Sequence, residues 1–340
     1  MSEVAPSVRW LPAVAPSEAA ALGAVDIVPG YVDLQINGVD DIDFSVADGA
    51  DWQRAGRRLL AAGVTGYLPT ICSMPLDRYD AALTRVERAQ ATLVEAGLPV
   101  ILGVHLEGPF LGGAPGAHPR SSLRAMDVGW LGGVLDRHPG LVRLVTVAPE
   151  SDPDSAGIRM LTGRGVAVSL GHTTCTYDDA IVAAAAGATL VTHLFNGMGA
   201  LHHRDPGIVG AALDPRAGLR PTLIADFVHV HPAVVALAFA AAEPVLVSDA
   251  VATGVPYFDA DVVAAKGAAY LPDGTLTGAV SLLDDAVRNV VGLGVAREVV
   301  LAAASSRPAA VLGLAAAPGT IALDADLTVR AMWINGRRVS

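Results

Sequence analysis

Four residues that could bind a metal ion or move a proton lie at the C-terminal ends of short apolar runs. They are Glu107, His172, His193 and Asp249, in the runs VILGVHLEG, VAVSLGHT, ATLVTHLFN and EPVLVSD. One carboxylate and two imidazoles can form a three-ligand site with an open coordination position, as catalytic metal sites require. A second carboxylate beside that position could take up a proton and return it. The residue types therefore indicate metal-assisted hydrolysis, with the first three as ligands and the aspartate as proton carrier.

Each of these residues also has a structural explanation when it is considered alone. A glutamate at a strand end is usually solvated or paired with arginine, a lone histidine is more often a hydrogen-bonded core residue, and an aspartate can cap a helix. The functional interpretation requires all four to meet. Such ligands suit Zn²⁺, and mixed nitrogen and oxygen sets also accept Fe²⁺, Co²⁺ or Mn²⁺. We expect one divalent ion per subunit, with zinc as the first choice.

The elements that must position these residues are eight strand-like segments separated by helix-like stretches. Near-continuous apolar runs rich in Val, Ile and Leu are typical of strands buried on both faces of a parallel sheet. Eight strand–helix units favour a closed (β/α)8 TIM barrel, an α/β fold whose strand ends meet at one mouth. The predicted strands are 31–38, 64–70, 100–108, 141–150, 166–173, 188–196, 221–230 and 243–251.

The two ends of the chain differ from the repeating strand–helix pattern. The last segment reads as short strands with a hairpin turn at Asn335-Gly336, and the Pro- and Ala-rich beginning could add one or two strands beside it. We therefore predict a catalytic barrel over 30–313 and a small, trimmed β-module formed by 1–29 and 314–340.

Composition excludes several classes of protein. The net charge of −11 argues against a nucleic-acid footprint, although a local cationic pocket remains compatible with it. No uninterrupted apolar stretch reaches the length of a membrane span, and the beginning of the chain does not resemble a signal peptide. Cys72 and Cys175 fit no disulfide framework, and we expect them to pack in the interior rather than bind metal. A reduced, cytosolic chain is the simplest expectation.

Further polar residues follow the strands or lie in loops at the predicted mouth. Arg204 could bind a phosphate bidentately or be an ordinary surface cation. His229 lies in the seventh strand-like segment, and His118 lies in the Gly/Pro-rich loop 113–120. His105 could orient Glu107, but a hydrogen-bonded core histidine is the favoured interpretation.

Taken together, these motifs resemble those of a known family. The motifs PGYVDLQING, HLEGPF, SLGHT, THLFNGM, HHRDPG, IADFVHVHP, LVSDA and LTGAVSLLDDAVRNVV occur in the order seen in the N-acetylglucosamine-6-phosphate deacetylases of the amidohydrolase superfamily. The resemblance runs from about Pro29 to Gly313, with a weaker continuation. It implies a metal-dependent barrel, a homodimer, and hydrolysis of the acetamide of a 6-phosphorylated amino sugar to acetate and glucosamine 6-phosphate.

The resemblance also assigns roles residue by residue. It makes Glu107, His172 and His193 metal ligands, Asp249 and His118 catalytic, and Asn196, Gly197, Arg204 and His229 substrate-binding. One departure concerns the first strand, where Gln35-Ile36-Asn37 replaces the His-x-His of many superfamily members. Since amide side chains are poor metal ligands, this departure favours one metal over two. Gly197 and Val251 also differ from the commoner pattern and leave the exact sugar open.

Two other functions compete with this interpretation. A hydrolase on the same scaffold could act on a different N-acyl amino sugar or a cyclic amide. A catalytically silent sugar-phosphate binding protein is disfavoured because all three ligand positions and the aspartate are present.

Overall fold

The computed structural model describes residues 22–257 and 260–340. Its strands are β1 (Asp26–Pro29), β2 (Tyr31–Ile36), β3 (Gly38–Val39), β4 (Ile42–Asp43), β5 (Val64–Cys72), β6 (Val100–Ile101), β7 (Val104–Glu107), β8 (Val142–Val147), β9 (Ala167–Leu170), β10 (Leu190–Val191), β11 (Arg220–Leu223), β12 (Val245–Leu246), β13 (Pro256–Tyr257), β14 (Ala260–Asp261), β15 (Val263–Ala265), β16 (Ala268–Tyr270), β17 (Leu276–Ala279), β18 (Gly319–Leu323), β19 (Val329–Ile334) and β20 (Arg337–Arg338).

The α-helices of the described ranges alternate with the strands of the central sheet and continue beyond its last strand. They are α1 (Ala50–Ala61), α2 (Tyr79–Glu95), α3 (Val128–Arg137), α4 (Ala156–Gly163), α5 (Tyr177–Ala185), α6 (Gly207–Leu213), α7 (Pro232–Ala241), α8 (Leu283–Gly292), α9 (Arg297–Ala304) and α10 (Ser306–Val311). None of them combines the length and apolar character needed to span a bilayer.

The central sheet is a parallel barrel with the strand order β2-β5-β7-β8-β9-β10-β11-β12, and β6 extends the pairing with β5. Backbone hydrogen bonds join the first and last strands of this sheet and close the barrel. Asp249 N donates to Gln35 O at 2.8 Å, and Asn37 N donates to Ala250 O at 2.7 Å. The predicted TIM-barrel fold is therefore confirmed. All eight predicted strands are present, but most end before the polar residues that follow them.

Alternation along the strands divides the apolar residues between two layers. One set fills the inside of the barrel: Val32, Leu34, Leu68, Leu144, Leu190, Ile224, Val245 and Val247. The other set faces the surrounding helices, which carry a buried stripe on one side, such as Trp52, Ala55 and Leu59 of α1. Strands buried on both faces need apolar side chains on both, which explains the continuous runs in the sequence.

Local signals in the sequence account for several element ends. Thr176 caps α5 in a reciprocal capping box with Asp179. Gly63 and Gly97 follow α1 and α2 with positive φ angles of 81° and 67°, the conformation that glycine adopts without strain. The predicted Asn335-Gly336 turn joins β19 to β20, with φ angles of 51° and 74°.

A four-stranded antiparallel sheet, in the order β1-β18-β19-β20, joins the two ends of the described chain. Strand β1 pairs with β18 over Asp26–Pro29. The part of the predicted accessory module at 1–21 lies outside the described residues. The exact division at 29/30 and 313/314 stays a prediction.

The sequence patterns did not reveal the strands between β12 and α8. Strands β15, β16 and β17 form an antiparallel sheet, and β17 bonds to the chain after β12, since Ala279 N donates to Asp249 O at 3.0 Å. These strands are too short and too alanine-rich to show a clear alternation. The insertion matters because it brings residues 276–278 over the barrel mouth.

Candidate active site

The barrel brings the four predicted residues together at its mouth. Glu107 is the last residue of β7, whereas His172, His193 and Asp249 follow β9, β10 and β12 by two or three positions. These three have positive φ angles of 49°, 31° and 50°. Non-glycine residues in this region cost about 1–3 kcal/mol each and occur where the surrounding structure enforces them. Tight turns at the strand ends thus aim these side chains inward.

Three ligand atoms surround one point. Glu107 Oε1 lies 3.2 Å from His172 Nε2 and 3.1 Å from His193 Nε2, and the two imidazole nitrogens are 3.1 Å apart. Ligands about 2.1 Å from a tetrahedral zinc ion lie about 3.4 Å from one another. The observed spacing is close to that value, so these residues fit the ligand shell of a small divalent cation.

The hydrogen bonding of His172 supports the same assignment. Its Nδ1 lies 3.1 Å from Ala114 O, and a carbonyl oxygen can only accept, so Nδ1 carries the proton. The Nε2 lone pair of the neutral ring therefore points at a carboxylate oxygen and a second imidazole nitrogen. A cation placed among these atoms would bind the lone pairs of the His172 ring and the Glu107 carboxylate. The donor set therefore fits a metal.

Burial and the neighbouring imidazoles have opposite effects on the pKa of Glu107. Burial acts to raise the pKa of this carboxyl, but its contacts with the His118, His172 and His193 imidazoles outweigh burial and hold the pKa well below its ordinary value. Burial also lowers the pKa of the His172 imidazole. An ionised carboxylate and neutral imidazoles are the protonation states that bind metal.

Asp249 lies beside this ligand set and is held by two amides. Gln35 Nε2 donates to Asp249 Oδ1 at 3.1 Å and to Glu107 Oε1 at 2.9 Å, while Asn37 Nδ2 donates to Asp249 Oδ1 at 2.8 Å. Burial, reinforced by the charge of Glu107, raises the pKa of Asp249 to about 8. A carboxyl whose pKa lies near neutrality can both take up and release a proton.

His118 reaches the opposite side of Glu107 from a loop. Its Nε2 lies 3.7 Å from Glu107 Oε2, and its Nδ1 lies 2.9 Å from Ser73 Oγ. The loop is attached by Glu150, which accepts bonds from Gly113 N and Thr174 N, both at 2.9 Å. Glu150 thereby connects the loop that carries His118 to the chain that carries His172.

A cavity of about 200 Å³ opens above these residues. Its lining includes Asn196, Gly197, His229, Leu276, Thr277 and Gly278. His229 is fixed between Asp226 Oδ2, 2.7 Å from its Nδ1, and Thr277 O, 3.3 Å from its Nε2. Asn196 donates through Nδ2 to His193 O at 3.1 Å.

Arg204 is the one predicted site residue that does not line this cavity. It lies on an exposed loop, and its Nη1 is 2.8 Å from His203 Nε2. Its phosphate role stays a prediction. His105 contacts hydroxyls, with Nε2 2.8 Å from Thr146 Oγ1 and Nδ1 3.3 Å from Thr70 Oγ1, which agrees with the hydrogen-bonded core residue favoured above.

Several residues of the site were missed or underrated in the sequence. Gln35 and Asn37 were considered only as poor ligands, but they act as donors to carboxylates. Cys72 was expected to be a packed interior residue, yet its Sγ lies 3.4 Å from Glu107 Oε2. The position of Cys72 at the end of the second strand was the only available signal, and strand-end position alone does not distinguish these roles.

The fold and the site define a metal-dependent hydrolase barrel of the amidohydrolase superfamily. The bovine N-acetylglucosamine-6-phosphate deacetylase is 38% identical over 93% of this chain and 84% of its own length. The solved structure of a Mycobacterium smegmatis N-acetyl-D-glucosamine-6-phosphate deacetylase variant, in complex with N-acetyl-D-glucosamine 6-phosphate, has a TM-score of 0.84 and 32% identity, covering 92% of this chain and 86% of that one.

The chain belongs to the N-acetylglucosamine-6-phosphate deacetylase family. A further relative is the N-acetylgalactosamine-6-phosphate deacetylase of Escherichia coli O157:H7, which is 35% identical over 92% of this chain and 88% of its own length. A scan against models of protein families gave no match.

Proposed function

We propose that this protein hydrolyses the acetamide of N-acetylglucosamine 6-phosphate and releases acetate and glucosamine 6-phosphate. The observation that carries the proposal is the convergence of Glu107, His172 and His193 on one point with Asp249 beside them, in a chain 38% identical to a deacetylase of this name. The protein is thus an enzyme acting on a non-peptide amide bond.

The ligand set has one chemical purpose in this proposal. A divalent cation held by Glu107, His172 and His193 supplies Lewis-acid polarisation and activation of water when it is bound. Zinc is the ion that we propose, because two imidazoles and a carboxylate are ligands it accepts readily.

Asp249 carries the proton in the proposed mechanism. Its carboxylate accepts a proton from the attacking water, and the same carboxyl then delivers that proton to the departing amine, which leaves poorly unless it is protonated. Gln35 and Asn37 hold Asp249 Oδ1 through amide donors, and we assign the proton transfer to Oδ2. This arrangement lets one group act first as base and then as acid.

His118 supports the charge that develops on the acetamide oxygen. Its Nδ1 can accept a hydrogen bond from Ser73 Oγ, 2.9 Å away, which leaves a proton on Nε2. An Nε2–H donor in this water-poor position stabilises the developing oxyanion.

Substrate binding is assigned to the outer part of the cavity. Asn196, the Gly197 backbone and His229 hold the sugar, and Arg204 holds the phosphate. Binding energy from these remote groups orients the amide over the reacting atoms. Since Arg204 is exposed on the described chain, we propose a homodimer in which its loop can approach a partner's site. A cytosolic location is part of the same proposal.

A second substrate is favoured by one observation. The Escherichia coli relative is named for N-acetylgalactosamine 6-phosphate at nearly the same identity as the glucosamine enzymes. The two sugars differ only in the direction of one hydroxyl, so this cavity must select between them by its polar rim.

One assay tests these functions together. Acetate release is measured from the two N-acetylated 6-phosphates and from unphosphorylated N-acetylglucosamine, with metal content determined on the same sample. We expect the glucosamine phosphate to have the highest kcat/KM and chelation to abolish acetate release. A preference for the galactosamine phosphate supports the alternative, and a metal-loaded protein that releases no acetate from any of them contradicts the deacetylase assignment.

A further inference from the structure

The two oxygens of Glu107 face different groups of possible ligands. Oε1 faces the His172 and His193 imidazoles at 3.2 and 3.1 Å. Oε2 faces Cys72 Sγ at 3.4 Å and His118 Nε2 at 3.7 Å. The carboxylate therefore lies between two clusters, of which the proposed function uses only the first as a ligand set.

The second cluster has the spacing of a coordination shell. One ligand atom from each of Cys72, Glu107 and His118 can be chosen so that all three lie within 4.8 Å of one another. Zinc–sulfur bonds of about 2.3 Å and zinc–oxygen or zinc–nitrogen bonds of about 2.1 Å place tetrahedral ligands about 3.4–3.6 Å apart. The contacts of Glu107 Oε2 with the other two atoms match this range closely.

Burial gives these ligands little competition from water. The exposed fractions of Cys72, Glu107 and His118 are 5%, 3% and 7%. A thiolate, an imidazole and a carboxylate together favour a borderline or soft ion such as Zn²⁺ or Cd²⁺ over Mg²⁺ or Ca²⁺. In this structure the Cys72 thiol donates to Asn37 Oδ1 at 3.0 Å. A bound ion would replace the proton of that thiol.

The surroundings of His118 allow its Nε2 to become a ligand. In this structure Ser73 N donates to His118 Nδ1 at 3.4 Å, which places the ring proton on Nε2. Ser73 Oγ lies 2.9 Å from the same Nδ1 and can itself donate to Glu107 O at 3.4 Å, so it can accept a hydrogen bond from Nδ1 in the other tautomer. In that second tautomer the Nε2 lone pair can bind a cation beside Glu107 Oε2, which lies 3.7 Å away. A change of tautomer, with rotation of the Ser73 hydroxyl, would therefore convert His118 from a hydrogen-bond donor to a metal ligand.

We infer that Cys72, Glu107 Oε2 and His118 form a second cation position, bridged by the Glu107 carboxylate to the position at His172 and His193. This position differs from a metal site built on the His-x-His of the first barrel strand. Gln35, which stands at that place here, supplies no ligand to it, and Cys72 comes from the end of β5. An ion bound here occupies the Nε2 atom that the proposed function assigns to the acetamide oxygen. Excess zinc should therefore inhibit the enzyme, a consequence that rests on the proposed function.

The test counts ions and detects sulfur ligation directly. The full-length protein is stripped with a chelator, kept reduced, and titrated with Cd²⁺, while bound ions are counted after dialysis and the ultraviolet thiolate-to-cadmium absorption is recorded. The matched variants are Cys72→Ser and Cys175→Ser, because Cys175 is the second cysteine and belongs to the apolar core. We expect two ions and the absorption in the native protein and in Cys175→Ser, but one ion and no absorption in Cys72→Ser.

Two results would overturn the inference: a single ion per native chain, or absorption that survives in Cys72→Ser. If Cys72→Ser does not fold, X-ray absorption of cadmium-loaded Cys175→Ser answers the same question, since Cys72 is its only cysteine. A sulfur neighbour supports the site, and a shell of nitrogen and oxygen alone contradicts it. Acetate release is measured separately on the same samples. Two bound ions without acetate release would support the second cation position and contradict the deacetylase assignment.

Discussion

Gln35 donates its side-chain amide to Asp249 Oδ1 at 3.1 Å, and the same nitrogen lies 2.9 Å from Glu107 Oε1. One amide therefore joins the proposed proton carrier to the proposed metal ligand. The two carboxylates repel each other, and the charge of Glu107 contributes to the raised pKa of Asp249. A neutral donor between them reduces this repulsion without adding a competing charge.

Replacing Gln35 with leucine should slow catalysis without removing the metal. Hydrogen bonds to charged groups contribute about 1.5–3 kcal/mol, so kcat should fall by roughly 10- to 100-fold. The measurement is kcat together with metal content. Gln90→Leu is the matched control, because Gln90 bonds to Ile101 O outside the barrel mouth; similar losses in both variants would contradict a specific role for Gln35.

Replacing Asp249 with asparagine should remove the proton carrier but leave the ligand set intact. General acid–base catalysis contributes about 10²–10⁴-fold, so turnover should fall by at least this order while the ion stays bound. The check combines steady-state kinetics with elemental analysis. Asp136→Asn, at an exposed carboxylate paired with Arg164, is the control and should keep full turnover. Near-normal turnover in Asp249→Asn would exclude this residue as proton carrier.

Replacing Arg204 with alanine should distinguish phosphorylated from unphosphorylated substrates. A charge-assisted contact to phosphate is stronger than a neutral one, so kcat/KM for the 6-phosphate should fall by about 10-fold or more and that for N-acetylglucosamine should change little. Arg216→Ala is a suitable control, since Arg216 is exposed and pairs with Asp214. Equal losses on both substrates would remove Arg204 from phosphate binding.

Asp33 should make the stability of the fold depend on pH. Burial raises the pKa of this carboxyl to about 7, whereas it is about 3.9 in an unfolded chain. Between these values the unfolded chain has lost a proton that the folded protein keeps, so stability falls as pH rises and levels off above about pH 7. Below about pH 4 both states are protonated and the full stability remains.

Asp33→Asn removes this titration and keeps a carbonyl oxygen for the Gln35 and Ser248 amides that bond to Asp33 Oδ1. The free energy of unfolding of Asp33→Asn minus that of the native protein should rise by about 3 kcal/mol between pH 5 and pH 8. Denaturant unfolding at both pH values measures the change. Asp77→Asn, at an exposed carboxylate, is the control, and a difference independent of pH in Asp33→Asn would contradict the prediction.

The sequence by itself determined the barrel and the strand-end positions of the candidate ligands. Strands buried on both faces must be apolar throughout, so a polar residue such as Glu107 or His193 stands out where a strand ends. Parallel strands have their carboxyl ends at one mouth, which allowed distant ligands to be placed together before any contact was known. Capping at Thr176 and the turn at Asn335 are equally local and were predictable for the same reason.

Only the tertiary structure decided which atoms meet. Gln35 and Asp249 are 214 positions apart, and no periodicity records that an amide bridges two carboxylates or that Cys72 faces the second oxygen of Glu107. The left-handed backbone at His172 and Asp249 and the approach of Thr277 to His229 also depend on packing between separate segments. Hydrogen-bond geometry changes over fractions of an ångström, and such distances are fixed by the closed barrel rather than by local sequence.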